Sequence, residues 1–256
     1  MEKLTVIKVG GKIVEEEATL AQLLEGFSKI EGRKVLVHGG GRSATAMATR
    51  LGIESQMVNG RRITDEETLK VVTMVYAGLV NKNIVARLQS MNVNALGLTG
   101  ADLNYMRSDK RPVKDVDYGF VGDVKEVNAD LLADLIHKGV VPVLAPLTHD
   151  KKGNMLNTNA DTIAAEAAKA LTKHFEVTLV YCFEKKGVLR DENDDESVIS
   201  EITRPMFEKY VADGIIQGGM IPKLENSFDA IHAGVSRVVI TKADHLGEGE
   251  GTTIHE

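Results

Sequence analysis

The feature that most constrains this chain is an alternation of short β-branched runs with longer stretches of helical spacing, several of the runs closing on glycines. Residues 5–9 read as a strand ending at Gly10 and Gly11, and residues 34–37 as one ending at Gly39, Gly40 and Gly41. Further buried strands are expected at 95–98, 140–144, 177–181 and 238–241. Apolar residues recur at helical intervals over 18–30, 43–51, 64 to about 91, 129–138, 159–171, 205–213 and 220–233. Strands that take turns with helices need crossover connections, so the expected class is α/β: a mainly parallel, open sheet sandwiched between helices. Between residues 100 and 128 the pattern turns polar, with Gly119 and Gly122 as turn points, and suggests a β-hairpin inserted over one end of the sheet. A lobe boundary is expected near 171–176, dividing the chain into 1–174 and 175–256.

Composition narrows the function classes. With 43% hydrophobic residues in 256, the chain has ample material for a core. Cys182 is the only cysteine, so it makes no internal disulfide, and in an apolar strand it reads as core. The longest apolar stretch, 140–147, is interrupted by Pro142 and Pro146 and is too short to span a bilayer. The first residues enter a strand-like run at once, leaving no room for a signal peptide. A net charge of −6 and 4% aromatics give no footprint for nucleic acid. The expectation is a cytoplasmic protein acting on a small molecule, with neither a membrane nor a nucleic-acid partner.

Five short segments carry chemistry. Lys8, in an otherwise apolar strand before Gly10 and Gly11, is either a snorkelling edge residue or a cation aimed at the carboxyl edge, where backbone N–H groups meet anions. His38-Gly39-Gly40-Gly41 precedes a helix, which is an anion-binding geometry. It also spells G-x-G-x-x-A through Ala44, so a dinucleotide-dependent oxidoreductase is an alternative, although that fingerprint belongs after a first strand. His38 lacks a metal-spaced partner and reads as a hydrogen-bonding histidine. In Asn59-Gly60-Arg61-Arg62-Ile63-Thr64, Arg62 offers a fork for a carboxylate or is a loop arginine before a cap at Thr64. Asn159 and Asp161, in Leu156-Asn157-Thr158-Asn159-Ala160-Asp161, could simply cap a helix and serve its dipole. Lys223, after Gly218 and Gly219, stands in a first helical turn, where a cation is unfavourable unless an anion joins it. The run 191–196 reads as a solvated acidic loop.

In this order and at this spacing, the segments resemble the amino acid kinase family and, within it, its acylglutamate branch. The anchors are K-V-G-G-K from Lys8, H-G-G-G from His38, N-G-R-R-I-T from Asn59, L-N-T-N-A-D from Leu156, G-M-I-P-K from Gly219 and G-T-T-I from Gly251. The resemblance implies that family's fold in two lobes, 1–174 for acylglutamate binding and dimerisation and 175–256 for ATP. It implies transfer of the ATP γ-phosphoryl group to the side-chain carboxylate of N-acetyl-L-glutamate, or another N-acylglutamate such as N-succinylglutamate, in arginine biosynthesis. Lys8, Asp161 and Lys223 would be catalytic, and Gly40, Gly41, Arg62 and Asn157 would bind substrate. Gly10, Gly11, Glu184, Gly187, Gly218 and Gly219 would face ATP, with Mg²⁺ travelling on the nucleotide and no dedicated protein metal site. Where the family commonly has Ser-Asp-x-x-Gly, this chain has Phe183-Glu184-Lys185-Lys186-Gly187, whose lysines could meet phosphates. That departure leaves a non-catalytic sensor on the same fold as an alternative. A homodimer without arginine feedback is the expected assembly, because no helix precedes the first strand.

Overall fold

The computed structural model describes residues 1–58, 60–246 and 250–256; Asn59, which opens the 59–64 motif, lies outside them. Among the described residues, one sheet runs in the order Glu201–Ile202, Thr252–Ile254, Arg237–Lys242, Phe175–Phe183, Glu2–Val9, Arg33–His38, Val141–Leu144 and Ala95–Leu98. Its neighbours are parallel except Arg237–Lys242 with Thr252–Ile254. This is the expected mainly parallel α/β sheet, and strands from both halves of the chain share it.

Helices cover both faces because the strands are apolar on both faces. On Glu2–Val9, Leu4 and Val6 join the core on one side and Ile7 and Val9 the core on the other, as a two-residue period dictates. Lys8 therefore falls on the Leu4–Val6 side. Helix Ala160–Leu171 packs on that side through Ile163, Ala164, Ala167, Ala168 and Leu171. The partner of Lys8 is thus fixed by strand register and by which helix covers that face.

The expected hairpin is present as Met106–Lys110 and Gly122–Val127, antiparallel with a register shift after Arg107. It is half of a four-stranded sheet completed by Leu147–His149 and Met155–Asn157, two strands too short to register in the periodicity. The 64–91 pattern is continuous helix, but in three parts: Glu66–Thr73, a π-helical segment Met74–Val80, and Asn81–Ser90. The cap is not Thr64, as expected, but Asp65, whose Oδ1 accepts from the Thr68 N–H at 2.8 Å. Thr64 is buried, and its hydroxyl accepts from Asn157 Nδ2 at 3.0 Å. No helix among the described residues is long and apolar enough to cross a membrane.

Candidate active site

The first strand lies between Arg33–His38 on one side and Phe175–Phe183 on the other. At such a reversal of strand order the connections diverge, and a crevice opens beyond the carboxyl ends. Gly10, Gly39 and Phe183 terminate or follow these three strands at that edge. Gly39 carries no side chain for a steric reason: a Cβ there would lie 3.0 Å from the Gly11 nitrogen. Gly11 and Gly41 open the helices Gly11–Glu15 and Gly41–Arg50, so backbone N–H groups without intrahelical acceptors meet at one spot.

Three charges sit next to this spot. Lys8 is 8% exposed, and its Nζ is 2.7 Å from Asp161 Oδ1. That contact is an ion pair off the hydrogen-bond direction, since the same oxygen has no directed hydrogen bond. Asp161 is in the first turn of Ala160–Leu171, which Asn159 caps by accepting from the Asp161 and Thr162 N–H groups at 2.8 and 3.2 Å. The capping expectation for Asn159 therefore holds. Lys223 Nζ lies 3.2 Å from the centre of the Phe183 ring, with Lys8 Nζ 5.3 Å from it. Burial pushes the Lys223 ammonium down to about 8; Asp161 works against that shift and Lys8 adds to it. Cys182, on the neighbouring strand, is fully buried and pushed up to about 12 by burial, so it is core.

Two cavities meet at the glycine turn. The smaller, about 200 Å³, is lined by Gly39, Gly40, Gly41, Arg62, Tyr76, Asn157 and Ala160, among others. The larger, about 640 Å³, shares Gly39–Gly41, Met57 and Arg62 and adds Gly10–Ile13, Phe183–Lys185, Gly187, Met220 and Lys223. Arg62 is 8% exposed; one terminal nitrogen donates to Gly41 O at 2.7 Å and Thr45 Oγ1 at 2.8 Å. Its other terminal nitrogen is buried with no partner. Such an orphan donor costs about 1–3 kcal/mol unless a ligand accepts from it. Tyr76, from the π-helical segment, closes the same cavity; a Cβ on Gly40 would come within 2.9 Å of its ring.

Behind the turn, His38 is fully buried and pushed down to about 4 by burial. Asn81 Nδ2 donates to His38 Nε2 at 3.1 Å, which leaves Nδ1–H to donate to Gly39 O at 2.7 Å. The reading of His38 as a hydrogen-bonding residue therefore holds, and it anchors the glycine turn to the long helix.

On the larger cavity, Glu184 pairs with Lys12 at 2.9 Å. Lys185 pairs with Asp195 at 2.7 Å and Lys186 with Glu196, so the 191–196 run is an exposed loop that neutralises both lysines. Gly187 is needed for close approach, since a Cβ would lie 2.6 Å from Thr252 Oγ1. Gly218 and Gly219 precede helix Met220–His232 but are not among the cavity walls. Tyr76, Arg111 and the Lys12–Glu184 bridge escaped the sequence reading. Tyr76 carries a core-like spacing signal, and only the three-dimensional approach of hairpin and strand ends brings the others in.

The profile of the amino acid kinase family matches residues 3–242. The chain belongs to the amino acid kinase family. Its relatives include an acetylglutamate kinase of Parabacteroides distasonis, 77% identical over 99% of this chain and 100% of that one. Another is an acetylglutamate kinase of Bacteroides thetaiotaomicron, 79% identical over 99% and 98%. A solved structure, smu.665 of Streptococcus mutans UA159, superposes with a TM-score of 0.80 at 29% identity over 98% of both chains. Membership of this kinase family removes the dinucleotide alternative that Gly39, Gly41 and Ala44 had raised.

Proposed function

We propose that the chain transfers the γ-phosphoryl group of ATP to the side-chain carboxylate of N-acetyl-L-glutamate or a close N-acylglutamate, as an arginine-biosynthetic kinase. The observation that carries this reading is the common wall: two cavities meet at Gly39–Gly41, beside a Lys8–Asp161–Lys223 cluster. The names of the closely similar relatives support it.

A carboxylate nucleophile is already ionised near neutral pH, so no general base is required. Catalysis reduces to positioning two anions and stabilising the charge that spreads over the transferring group. Lys8 and Lys223 neutralise that charge, and Asp161, paired with Lys8 and acting on Lys223 through its charge, orients them. The N–H groups of Gly11, Gly40 and Gly41 cradle phosphoryl oxygens, with Gly10, Glu184 and Gly187 on the walls of the nucleotide cavity and Gly218 and Gly219 outside those walls, at the start of the helix that carries Lys223. The free nitrogen of Arg62 receives the α-carboxylate, and Asn157, held by Thr64, fixes the amide end. Among the described residues no three His, Cys, Asp or Glu side chains form a metal cage, and Asp161 and Glu184 are engaged by lysines. Mg²⁺ would be held by the nucleotide phosphates, whose charge it neutralises.

In this reading residues 1–174 bind acylglutamate and residues 175–256 contribute the far wall of the ATP cavity. We also infer a cytoplasmic homodimer, supported by Met74 (55% exposed) and Leu79 (48%) on the long helix; light scattering at the monomer mass overturns that assembly. Incubation with MgATP and N-acetylglutamate, followed by hydroxylamine trapping of the acyl phosphate, tests the reaction. A hydroxamate that forms only with both substrates is expected, and its absence with every N-acylglutamate overturns the function.

A further inference from the structure

We propose that the acyl subsite is built for an N-acylglutamate whose acyl chain itself ends in a carboxylate. The inference rests on the reaction proposed above and names its substrate more closely. Three arginines, Arg61, Arg62 and Arg111, line the 200 Å³ cavity. An N-acetylglutamate brings only two carboxylates. One goes to the lysine cluster and the other to Arg62, which leaves Arg61 with no anion and Arg111 with Asp123 on one edge only. Met57, Val121, Pro146 and Ala160 in the same lining can match an acetyl methyl, whereas the guanidinium edge at Arg61 and Arg111 calls for an anion.

The two spare arginines differ in how they are held. Arg111 Nε donates to Asp123 Oδ1 at 3.0 Å, one terminal nitrogen donates to the same oxygen, and the guanidinium lies 5.6 Å from the Tyr118 ring centre. Its remaining terminal nitrogen is buried and has no partner. Asp123 and Tyr118 therefore fix the fork while leaving one edge for an acceptor, the preorganised arrangement that suits a carboxylate. Arg61 is exposed and has no ion pair or side-chain hydrogen bond among the described residues.

Arg61 and Arg111 are shared with a second hollow of about 360 Å³, whose walls include Pro112, Lys114, Tyr118, Asp115 and Asp123. Asp123 is already committed to Arg111, and Lys114 offsets Asp115, so the rim that the two hollows share at Arg61 and Arg111 carries surplus positive charge. An acyl chain long enough to pass the amide and end between Arg61 and Arg111 places its terminal carboxylate there.

The test compares N-acetyl-, N-butyryl- and N-succinylglutamate with MgATP, using trapped acyl phosphate and ADP release to obtain kcat/KM. Butyryl matches the succinyl chain length without its charge. The expected result is a kcat/KM for N-succinylglutamate at least about tenfold above both neutral substrates, equivalent to about 1.4 kcal/mol. Arg111→Met and Arg61→Met should each reduce the succinyl-to-butyryl ratio by about tenfold. If Arg111→Met fails to fold, Arg61→Met carries the test, since that side chain is exposed and unpaired. Equal or better use of the acetyl or butyryl substrate by the unmodified protein overturns the proposal while leaving the kinase reading intact. A variant that lowers all three substrates equally also overturns it. No turnover with any of the three overturns the kinase reading itself.

Discussion

Under the proposed reaction, which gives the smaller cavity to the acylglutamate and the larger to the nucleotide, the two cavities that meet at the glycine turn solve opposite electrostatic problems. On the acyl side, buried guanidinium nitrogens of Arg62 and Arg111 are left without acceptors. On the nucleotide side, Lys12, Lys185 and Lys186 are already answered by Glu184, Asp195 and Glu196. The first arrangement keeps a standing cost that a specific anion removes on binding, so it discriminates among ligands. The second is exposed and screened, so rearranging it costs little, and it suits a ligand that brings its own counterion. Specificity is therefore concentrated on the acyl side, and charge stabilisation at the junction.

The sharpest way to break this contrast is at the junction. Lys8→Met should lower kcat by about a hundredfold or more, the scale of losing one transition-state donor. Steady-state kinetics showing an unchanged kcat would remove Lys8 from the mechanism. Lys223→Met should cost a comparable factor in kcat yet raise Tm by about 2–4 °C at pH 7, because a buried ammonium is removed. The sign follows from its depressed value: between about 8 and 10.5 the unfolded chain binds more protons than the folded one, so the unmodified protein gains stability as pH rises. The Tm advantage of the variant should accordingly shrink above pH 8, and an advantage that stays constant to pH 10 contradicts the burial of that charge.

Arg62→Lys tests the acyl side, although Arg62 also borders the larger cavity. A point charge cannot keep Gly41 O, Thr45 and the ligand together, so kcat/KM for the acylglutamate should fall about tenfold or more, with the KM for ATP within about twofold. Equal losses for both ligands would erase the distinction between the cavities. His38 offers a smaller effect. Held near 4 when folded against 6.5 when unfolded, it contributes stability above pH 6.5 that is lost as pH falls toward 4. The Tm of His38→Asn should be flatter across that window than that of the unmodified protein. Smallest of all, Lys12→Met should change the KM for ATP by less than about threefold, as for an exposed pair.

Much of this was legible in the residues. The sheet could be read because strands buried on both faces are β-branched and end on glycines, and Lys8 and Lys223 could be read because each violates a local rule, whereas Asp161 obeys one and was singled out by the family resemblance. A lysine in an apolar strand and a lysine in a first helical turn need partners that local structure does not supply. Tyr76 was not legible because a π-helical turn in mid-helix leaves no trace in the apolar spacing. Asp65 took the cap from Thr64 because Thr64 is drawn inward by Asn157, a contact spanning residues far apart in the chain. Arg111 sits on a polar segment that reads as surface until the hairpin folds over the cavity. The role of Lys185 and Lys186 was open because their partners, Asp195 and Glu196, look locally like an ordinary acidic loop.

The position of the first strand has a consequence for how the molecule comes into being. Glu2–Val9 pairs along its length with Phe175–Phe183, a register that cannot form until more than two thirds of the chain has been synthesised. At about 5–20 residues per second the N-terminal segment waits many seconds on the ribosome with one edge unpaired. Contacts so distant in sequence also slow refolding from denaturant. Lys8 is thus planted on the earliest residues made and fixed among the last to settle, so phosphoryl-transfer competence should arise only when the whole sheet is assembled.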